Sequence, residues 1–577
     1  MLIPKLHQGH FLNCIFKKFF APDELCIFAH MRGKLFLLSF LSAGLLAAAW
    51  PPWGYTPLLF IAFLPLLYIQ EIISTDDKLK GKHIFLYGFL TFFVWNALTT
   101  WWIWYASEFG AVMATMVNTI LMSFTFLIFH KVKSVLPDRI GRFFLIPAWI
   151  TFEFLHHHGE LSWPWMTLGN GFANQLSWIQ WYEFTGVFGG SFWVLTVNVL
   201  LVEILLYKKT LAATLARKRL LILSLSVIIF IPIIISYLIS NNYKIQENNV
   251  TPINVTILQP NIDPYKKFNS DFQEMTEQML LLAETKIDST TDYLVFPETA
   301  LVESIWENNI NNSWTIHRLQ KFLKKYPKLK IVSGANTAYE FSKGEKHSAT
   351  TRKFLQEDSY YDSYNTALQI DSTKTIQVYH KSKLVPGTEK MPFIKHLKFL
   401  EQFALDLGGT TGSLGMQEER TVFVSPNSTS KIASVICYES IYGQYVSEYI
   451  QNGADFIFIL TNDGWWSNTA GHKQHLRYAS LRAIETRKSI ARSANTGVTC
   501  FIDQLGTIHQ AQKWWTASVI KQTMYSKVGT TFYTRNGDYI AISMLLISIS
   551  GMLFAISKYI RKKLAKVDQK QIKIIQN

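Results

Sequence analysis

Lys431-Ile432-Ala433-Ser434-Val435-Ile436-Cys437-Tyr438-Glu439 reads as a buried strand that ends on a thiol. Its β-branched residues favour the extended chain, and the apolar run is short enough for a strand. Two other strand ends carry complementary groups. Phe296-Pro297-Glu298 presents a carboxylate from a Pro-stiffened edge, and Tyr379-His380-Lys381 presents an ammonium. An unperturbed thiol is only a few per cent ionised at neutral pH, so a nucleophilic Cys needs a base or a neighbouring cation. Thiol, carboxylate and ammonium are the parts needed to make and break a thioester.

Around that stretch, from about residue 250, short apolar runs alternate with polar helical ones, as in a layered α/β domain. Expected strands are 253–258, 293–296, 330–333, 366–370, 375–379, 431–436, 456–460, 490–493 and 498–502, with helices over 271–287 and 472–487. The stretches 341–363 and 384–428 read as long, irregular and polar, candidates for a water-excluding lid. There is no P-loop and no internal repeat.

The rest of the chain is of another kind. Segments 35–52, 56–74, 83–105, 109–130, 142–156, 188–207 and 219–240 read as membrane helices, and 539–557 as an eighth. Most approach the roughly 20 residues that cross a bilayer; the fifth is marginal. The net charge of +15 invites a nucleic-acid partner, but its distribution excludes one. Lys5, Lys17, Lys18, Arg32 and Lys34 precede the first segment, and Lys78, Lys80 and Lys82 separate the second and third. Lys131, Lys133, Arg139 and Arg142 follow the fourth, and Lys208, Lys209, Arg217, Lys218 and Arg219 the sixth. The alternate loops 106–108 and 157–187 contain no Lys or Arg. By the positive-inside rule both termini are expected in the cytoplasm and residues 241–538 outside it.

The expected organisation is a cytoplasmic segment 1–34, a seven-helix membrane domain 35–240, an outer catalytic domain 241–538, an eighth helix 539–557 and a basic cytoplasmic tail 558–577. Residues 1–34 lack the pattern of a cleavable signal peptide. Of four cysteines, Cys14, Cys26, Cys437 and Cys500, only the last two lie in the outer segment. One bridge between them is conceivable, although Cys437 is better suited to chemistry. His156-His157-His158 is expected to cap a helix or sit at the interface rather than bind metal, because consecutive residues do not share a helix face. No metal and no cofactor is expected. Trp163, Trp165, Trp178 and Trp181 fit an outer aromatic belt or line a lipid path.

The chain resembles the nitrilase superfamily and, within it, the apolipoprotein N-acyltransferase family. The resemblance rests on Gln259-Pro260-Asn261-Ile262, Phe296-Pro297-Glu298-Thr299-Ala300, Tyr379-His380-Lys381-Ser382-Lys383-Leu384-Val385-Pro386 and Cys437-Tyr438-Glu439. It continues through Thr461-Asn462-Asp463-Gly464-Trp465, His475-Leu476-Arg477 and Ala494-Asn495-Thr496-Gly497-Val498, with Trp163-Pro164-Trp165 and Gly189-Gly190-Ser191-Phe192 in the membrane part. It implies a polytopic helical membrane domain joined to an α-β-β-α sandwich, with a triad of Glu298, Lys381 and Cys437. Supporting roles are implied for Glu389, Tyr438 and Glu439. Two departures stand out: Pro386-Gly387-Thr388-Glu389 lacks the family's aromatic residue, and Phe268 stands where the family has a tryptophan. Lys383 competes with Lys381, since an extended strand would point both to one face; the motif register favours Lys381.

The implied reaction moves an acyl chain from a phospholipid, through a Cys437 thioester, to the N-terminal amine of a diacylglyceryl-cysteine apolipoprotein. The implied setting is the bilayer of a bacterial inner membrane, with the cassette facing the periplasm. One rival is a membrane-tethered amidase or nitrilase. Another is a transporter or receptor with an inactive ectodomain, against which Glu153 and Glu203 are expected to lack basic partners inside the membrane.

Overall fold

The computed structural model describes residues 29–76, 79–206, 213–243, 250–373, 375–391, 413–426 and 428–576. Lys5, Lys17, Lys18, Lys78, Lys208, Lys209, Cys14, Cys26 and the middle of the second lid candidate lie outside those residues.

Two structural worlds meet in one chain. The helical part comprises α1 (Ala29–Ala49), α2 (Leu64–Thr75), α3 (Gly81–Thr100), α4 (Glu108–Lys133), α5 (Asp138–Phe143), α6 (Leu145–His158), α7 (Tyr182–Leu205) and α8 (Ala213–Asn242). Seven helical stretches among the described residues are long and apolar enough to cross a membrane, the last being Tyr539–Ala565. The fifth expected segment is not among them. It divides at Phe144, and α6 has 14 residues, about 21 Å of helix at 1.5 Å per residue. The pair α5–α6 nevertheless carries the chain from one end of the bundle to the other. Arg142 sits among Glu71 and Glu203 at one end, and the loop after α6 touches the α/β part.

Glu203, expected to lack a basic partner, is paired with Arg142 at 2.6 Å. Glu71 gathers Lys133 and Arg142 at 2.6 and 2.8 Å. These partners are remote in sequence, so helix packing alone reveals them. Glu153 takes neutral donors instead, the Leu168 N–H at 2.7 Å and the Trp149 indole at 3.1 Å.

The α/β part stacks two sheets. One joins β1 (Ile253–Gln259), β2 (Tyr293–Val295), β3 (Leu301–Trp306), β4 (Lys330–Glu340), β5 (Arg352–Lys353), β6 (Tyr360–Ile370), β7 (Gln377–His380) and, last in sequence, Ser518–Met524 against β1. The other contains β8 (Val422–Ser425), β9 (Ser428–Ile436), β10 (Phe456–Thr461), β11 (Ile490–Ala494), β12 (Cys500–Ile502) and β13 (Ile508–His509), in the order β13-β12-β11-β10-β9-β8. The Ser518–Met524 strand is β14. Buried faces meet between the sheets, where Tyr293 packs edge-on to Phe458 at 5.4 Å. Outside the first sheet lie α9 (Phe272–Glu284) and α10 (Trp314–Leu323), whose Met279, Leu280, Ile316, Leu319 and Phe322 cover Leu258, Leu294 and Leu368. Outside the second lie α11 (Gly443–Gln451) and α12 (Ala470–Thr486), contributing Val446, Ile450, Leu481 and Ile484. The α-β-β-α sandwich is present.

The stretch 341–363 is less irregular than its polarity suggests. β6 begins at Tyr360 and pairs antiparallel with β4 as far as Glu340↔Tyr361. Its first half is only partly buried, so it carries no apolar alternation; backbone pairing and the Trp306–Phe354–Tyr361 ring cluster fix it instead. The eighth helix, α14 (Tyr539–Gln576), runs far beyond its apolar stretch, because Lys, Arg, Gln, Ala and Leu there are all good helix formers. A short α13 (Phe532–Asn536) precedes it.

The sandwich is seated on the bundle through α12. Gln474, buried near its N-terminal end, accepts from the indoles of Trp102 at 3.1 Å and Trp165 at 2.6 Å. Its amide donates to the Pro51 and Thr99 carbonyls at 2.8 and 3.3 Å. Tyr478 receives the Trp50 indole at 3.1 Å. Farther along, Arg487 bonds Glu183 at 3.0 Å and Gln180 at 2.7 Å. Every helix-connecting loop in these contacts lies at one end of the bundle, and the Glu71–Lys133–Arg142 cluster lies at the other.

Candidate active site

Three strand ends converge as their chemistry requires. β2 runs through Phe296 and Pro297 to deliver Glu298, and the next residue, Thr299, takes a left-handed φ of 48°. The turn lies directly on β4: a Cβ on Gly334 would sit 2.6 Å from the Glu298 Cα and 2.5 Å from the Thr299 nitrogen. Only glycine permits that approach. β9 delivers Cys437, itself left-handed at φ 48°. Non-glycine residues held there cost about 1–3 kcal/mol each and tend to cluster where function fixes the backbone.

β7 delivers Lys381. Its buried Nζ lies 3.0 Å from Glu298 Oε1 and 2.8 Å from Glu389 Oε1. The Asn365 amide donates to the same two oxygens at 2.9 and 3.0 Å, and the Asn462 N–H donates to Glu298 Oε2 at 3.1 Å. Glu389 is closed into its own turn by the Val385 N–H at 2.9 Å. Lys383 does not share the face of Lys381. The chain leaves the strand after His380, and Glu439 turns it by accepting the Ser382 N–H at 2.7 Å.

Electrostatics sort the groups. Burial raises the Glu298 carboxyl, but the charge of Lys381, the hydrogen bonds of Asn365 and Lys381 and the charge of Lys267 outweigh it, leaving Glu298 below the ordinary carboxylate range. Burial and the Glu298 charge push the Cys437 thiol well up, against the pull of Lys381. At neutral pH the resting site is therefore a thiol beside a carboxylate. That arrangement suits general-base activation rather than a standing thiolate.

Glu439 lies on the other side of the nucleophile loop. Burial raises its carboxyl, while it accepts from Tyr379 at 2.7 Å, Tyr445 at 2.6 Å and the Ile436 N–H at 2.8 Å. It clamps the Lys381 and Cys437 strand ends together. Tyr438 reaches toward the bundle: its hydroxyl donates to the Ser162 carbonyl at 2.9 Å and its ring stacks on Trp163, centroids 6.1 Å apart. The hydrogen bond tethers the residue after the nucleophile to the bundle. Phe268 is partly exposed and meets the site through Lys267, whose Nζ stands 4.9 Å from its ring centroid. Cys437 and Cys500 are both free and buried.

Two residues escaped the sequence reading, Lys267 and Asn365; Asn462 stands in the Thr461-Asn462-Asp463-Gly464-Trp465 motif but acts here as a backbone donor. Asn365 sits in a polar run that gave no signal beyond residue type. Behind Cys437, Asp463 binds Arg492 at 2.7 Å and His475 at 3.0 Å, and His475 Nε2 lies 3.1 Å from the Cys437 carbonyl oxygen. Asp463 and His475, both residues of the family motifs, brace the nucleophile loop. Lys267 is buried and hydrogen-bonded to the Thr299 carbonyl at 3.3 Å and to the Thr299 hydroxyl. Burial lowers its ammonium to about 8, against the pull of Glu298.

Lys267→Met is expected to raise the Glu298 pKa, because one cation favouring the carboxylate is gone. The acid limb of acyl-enzyme formation should then move to higher pH, and Lys267→Arg should restore it in part. A uniform loss across the pH profile would reduce Lys267 to packing.

Residues 42–200 match the apolipoprotein N-acyltransferase N-terminal domain, and residues 254–531 match the carbon-nitrogen hydrolase family. The apolipoprotein N-acyltransferase of Chlorobaculum tepidum is 27% identical over 544 residues, 93% of this chain and 98% of that protein. The chain belongs to the apolipoprotein N-acyltransferase family. Members similar to it over nearly their whole length include apolipoprotein N-acyltransferase 1 of Treponema denticola, 25% identical over 92% of this chain and 98% of that protein. The apolipoprotein N-acyltransferase of Thermotoga maritima is 24% identical over 90% and 94%. Both halves of the family pattern are thus carried on one chain, in the order the structure shows.

Proposed function

We propose that this protein is a membrane-embedded N-acyltransferase that takes an acyl chain from a phospholipid and places it on the N-terminal amine of diacylglyceryl-cysteine apolipoproteins. The observation that carries the reading is the convergence of Glu298, Lys381 and Cys437 in a sandwich seated on a bundle of apolar helices. Both substrates are anchored in lipid, and an enzyme held at that surface meets them by lateral diffusion. Family membership supports acyl transfer to lipoproteins; the donor and the residue roles are our reading.

In the first half-reaction Glu298 takes the Cys437 proton as Sγ attacks the ester carbonyl. Lys381 and the N–H of Tyr438 stabilise the oxyanion. The carbon–oxygen bond then breaks, and Glu298 returns the proton to the departing lysophospholipid. In the second half the free amine attacks the thioester, Glu298 accepts its proton, and the carbon–sulfur bond breaks to restore the thiol. Glu389 and Asn365 hold Lys381 and Glu298 at fixed separation. Oxyanion donors of this kind are worth about 3–4 kcal/mol when placed in advance. A dry site is needed, since water competes for the thioester; the turn at Val385–Lys390 is a candidate for the cover.

We read the protein as lying in a bacterial inner membrane, with 241–538 on the periplasmic face and α5–α6 completing eight crossings. The domain boundaries expected from sequence are kept. Support comes from the segregation of loops: those near Trp50, Trp102 and Ser162 contact the sandwich, and the Lys133–Arg142 turn lies at the far end. Reporter fusions at Lys80 and Asn311 are expected in opposite compartments; signals from one side would remove the eight-crossing arrangement. The function itself is tested by mass spectrometry of lipoprotein N-termini in cells depleted of the protein. Free α-amines on diacylglyceryl-cysteine should accumulate, and fully acylated N-termini at normal levels would refute the assignment.

A further inference from the structure

The turn that aims Lys381 at Glu298 sends Lys383 elsewhere, toward two tyrosine rings. Its Nζ stands 5.0 Å from the ring centroid of Tyr442 and 6.0 Å from that of Tyr445. Among the described residues no carboxylate forms an ion pair with it. Its basic neighbours each have a carboxylate partner: Arg420 has Glu448 at 3.1 Å and Lys390 has Glu160 at 2.8 Å. Burial holds the Lys383 ammonium down, and the charges of Arg420 and Lys390 press in the same direction, opposed by Glu448 and Glu439. An extra negative charge at this point would relieve both burdens.

The location narrows the ligand. The Tyr442 hydroxyl bonds the Ser162 hydroxyl at 2.7 Å on the loop between α6 and α7. Glu160, which holds Lys390, is on the same loop. Tyr438, next to the nucleophile, packs edge-on to Tyr442 at 5.4 Å. Lys383 therefore stands where sandwich and bundle meet, one ring pair away from the Cys437 loop. In a glycerophospholipid the phosphodiester is separated from its esters only by the glycerol backbone, so an ester presented to Cys437 carries an anion into this neighbourhood.

We infer that Lys383, backed by Arg420 and Lys390, is the docking point for the phosphodiester of the acyl-donor glycerophospholipid. This rests on the proposed phospholipid donor. The ring walls limit water, which strengthens a charge-assisted contact between ammonium and phosphate.

The test uses full-length protein in detergent and compares acyl-enzyme formation from phosphatidylglycerol with that from p-nitrophenyl palmitate, which has no phosphate. The quantity read is the ratio of the two second-order rate constants. Lys383→Met is expected to lower the phospholipid-to-nitrophenyl ratio roughly 10- to 100-fold, the loss of one charge-assisted hydrogen bond, and Lys383→Arg to recover most of it. An unchanged ratio overturns the inference, as does an equal loss on both donors. Binding of inorganic phosphate to the wild type without lipid, lost in Lys383→Met, would assign the site to a free anion and overturn the lipid assignment. A wild type acylated by the nitrophenyl ester but never by phospholipid would instead refute the donor reading itself.

Discussion

Cys437→Ala is expected to abolish acyl-enzyme formation, a loss of at least about 10⁴-fold against the intact enzyme. Intact-mass measurement after incubation with phospholipid should show one added acyl chain on the wild type and none on the variant. Cys500→Ala should retain the adduct. The contrast is informative because both thiols are buried and both are pushed up, Cys500 to about 12 by burial. What separates them is neighbourhood. Cys437 ends β9 beside the Glu298–Lys381 pair, whereas Cys500 opens β12 within the second sheet. An adduct on Cys500, or full turnover by Cys437→Ala, would end the thioester reading.

Lys381→Met should be the next most damaging change, for two reasons that can be measured apart. Chemically, the oxyanion loses its cation, which for one such donor amounts to about 10²–10³ in rate. Structurally, Glu298 and Glu389 lose the ammonium at 3.0 and 2.8 Å that keeps them compatible. Removing one partner from a buried ionic cluster costs about 3–5 kcal/mol. The two carboxylates would then share the Asn365 amide, and Glu298, buried and without the cation that lowers it, should hold its proton to higher pH than in the wild type. Thermal unfolding in detergent should fall with rising pH in the variant more steeply than in the wild type, since ionising both acids becomes unfavourable. Lys381→Met with wild-type acylation rates would require another residue as the oxyanion cation.

The strand ends bearing Glu298 and Cys437 were legible because each follows an apolar run in the core of a sheet, whereas Lys381 ends β7, a half-buried edge strand, and its place rested on the motif. Periodicity could not choose between Lys381 and Lys383. The deciding element is Glu439, a side chain from the far sheet that bends the chain after Ser382. Asn365 lies on β6, a strand whose polar first half concealed it, and Asn462 acts through its backbone N–H, which no side-chain pattern records. Lys267 was hidden for a simpler reason: composition places lysine in water, and here a short 3-10 turn buries it beneath the Glu298 loop. In the bundle, hydropathy located the long helices. It could not foresee that the fifth segment would be divided at Phe144 into α5 and α6, nor that Glu203 would find Arg142 from a different hairpin.

The seat around Gln474 also bears on how the protein is made. The groups that Gln474 joins, Trp165, Trp102, Thr99 and Pro51, lie 309 to 423 residues before it in the chain. During synthesis the receiving loops leave the ribosome long before α12 exists. Contacts of such high sequence separation form late and leave apolar surface open meanwhile. The indoles awaiting Gln474 must therefore stand without their partner until the sandwich has closed. Folding of the outer domain and its landing on the helices should thus be one coupled, late event in biogenesis, and a quality-control protease would find its opportunity in that interval.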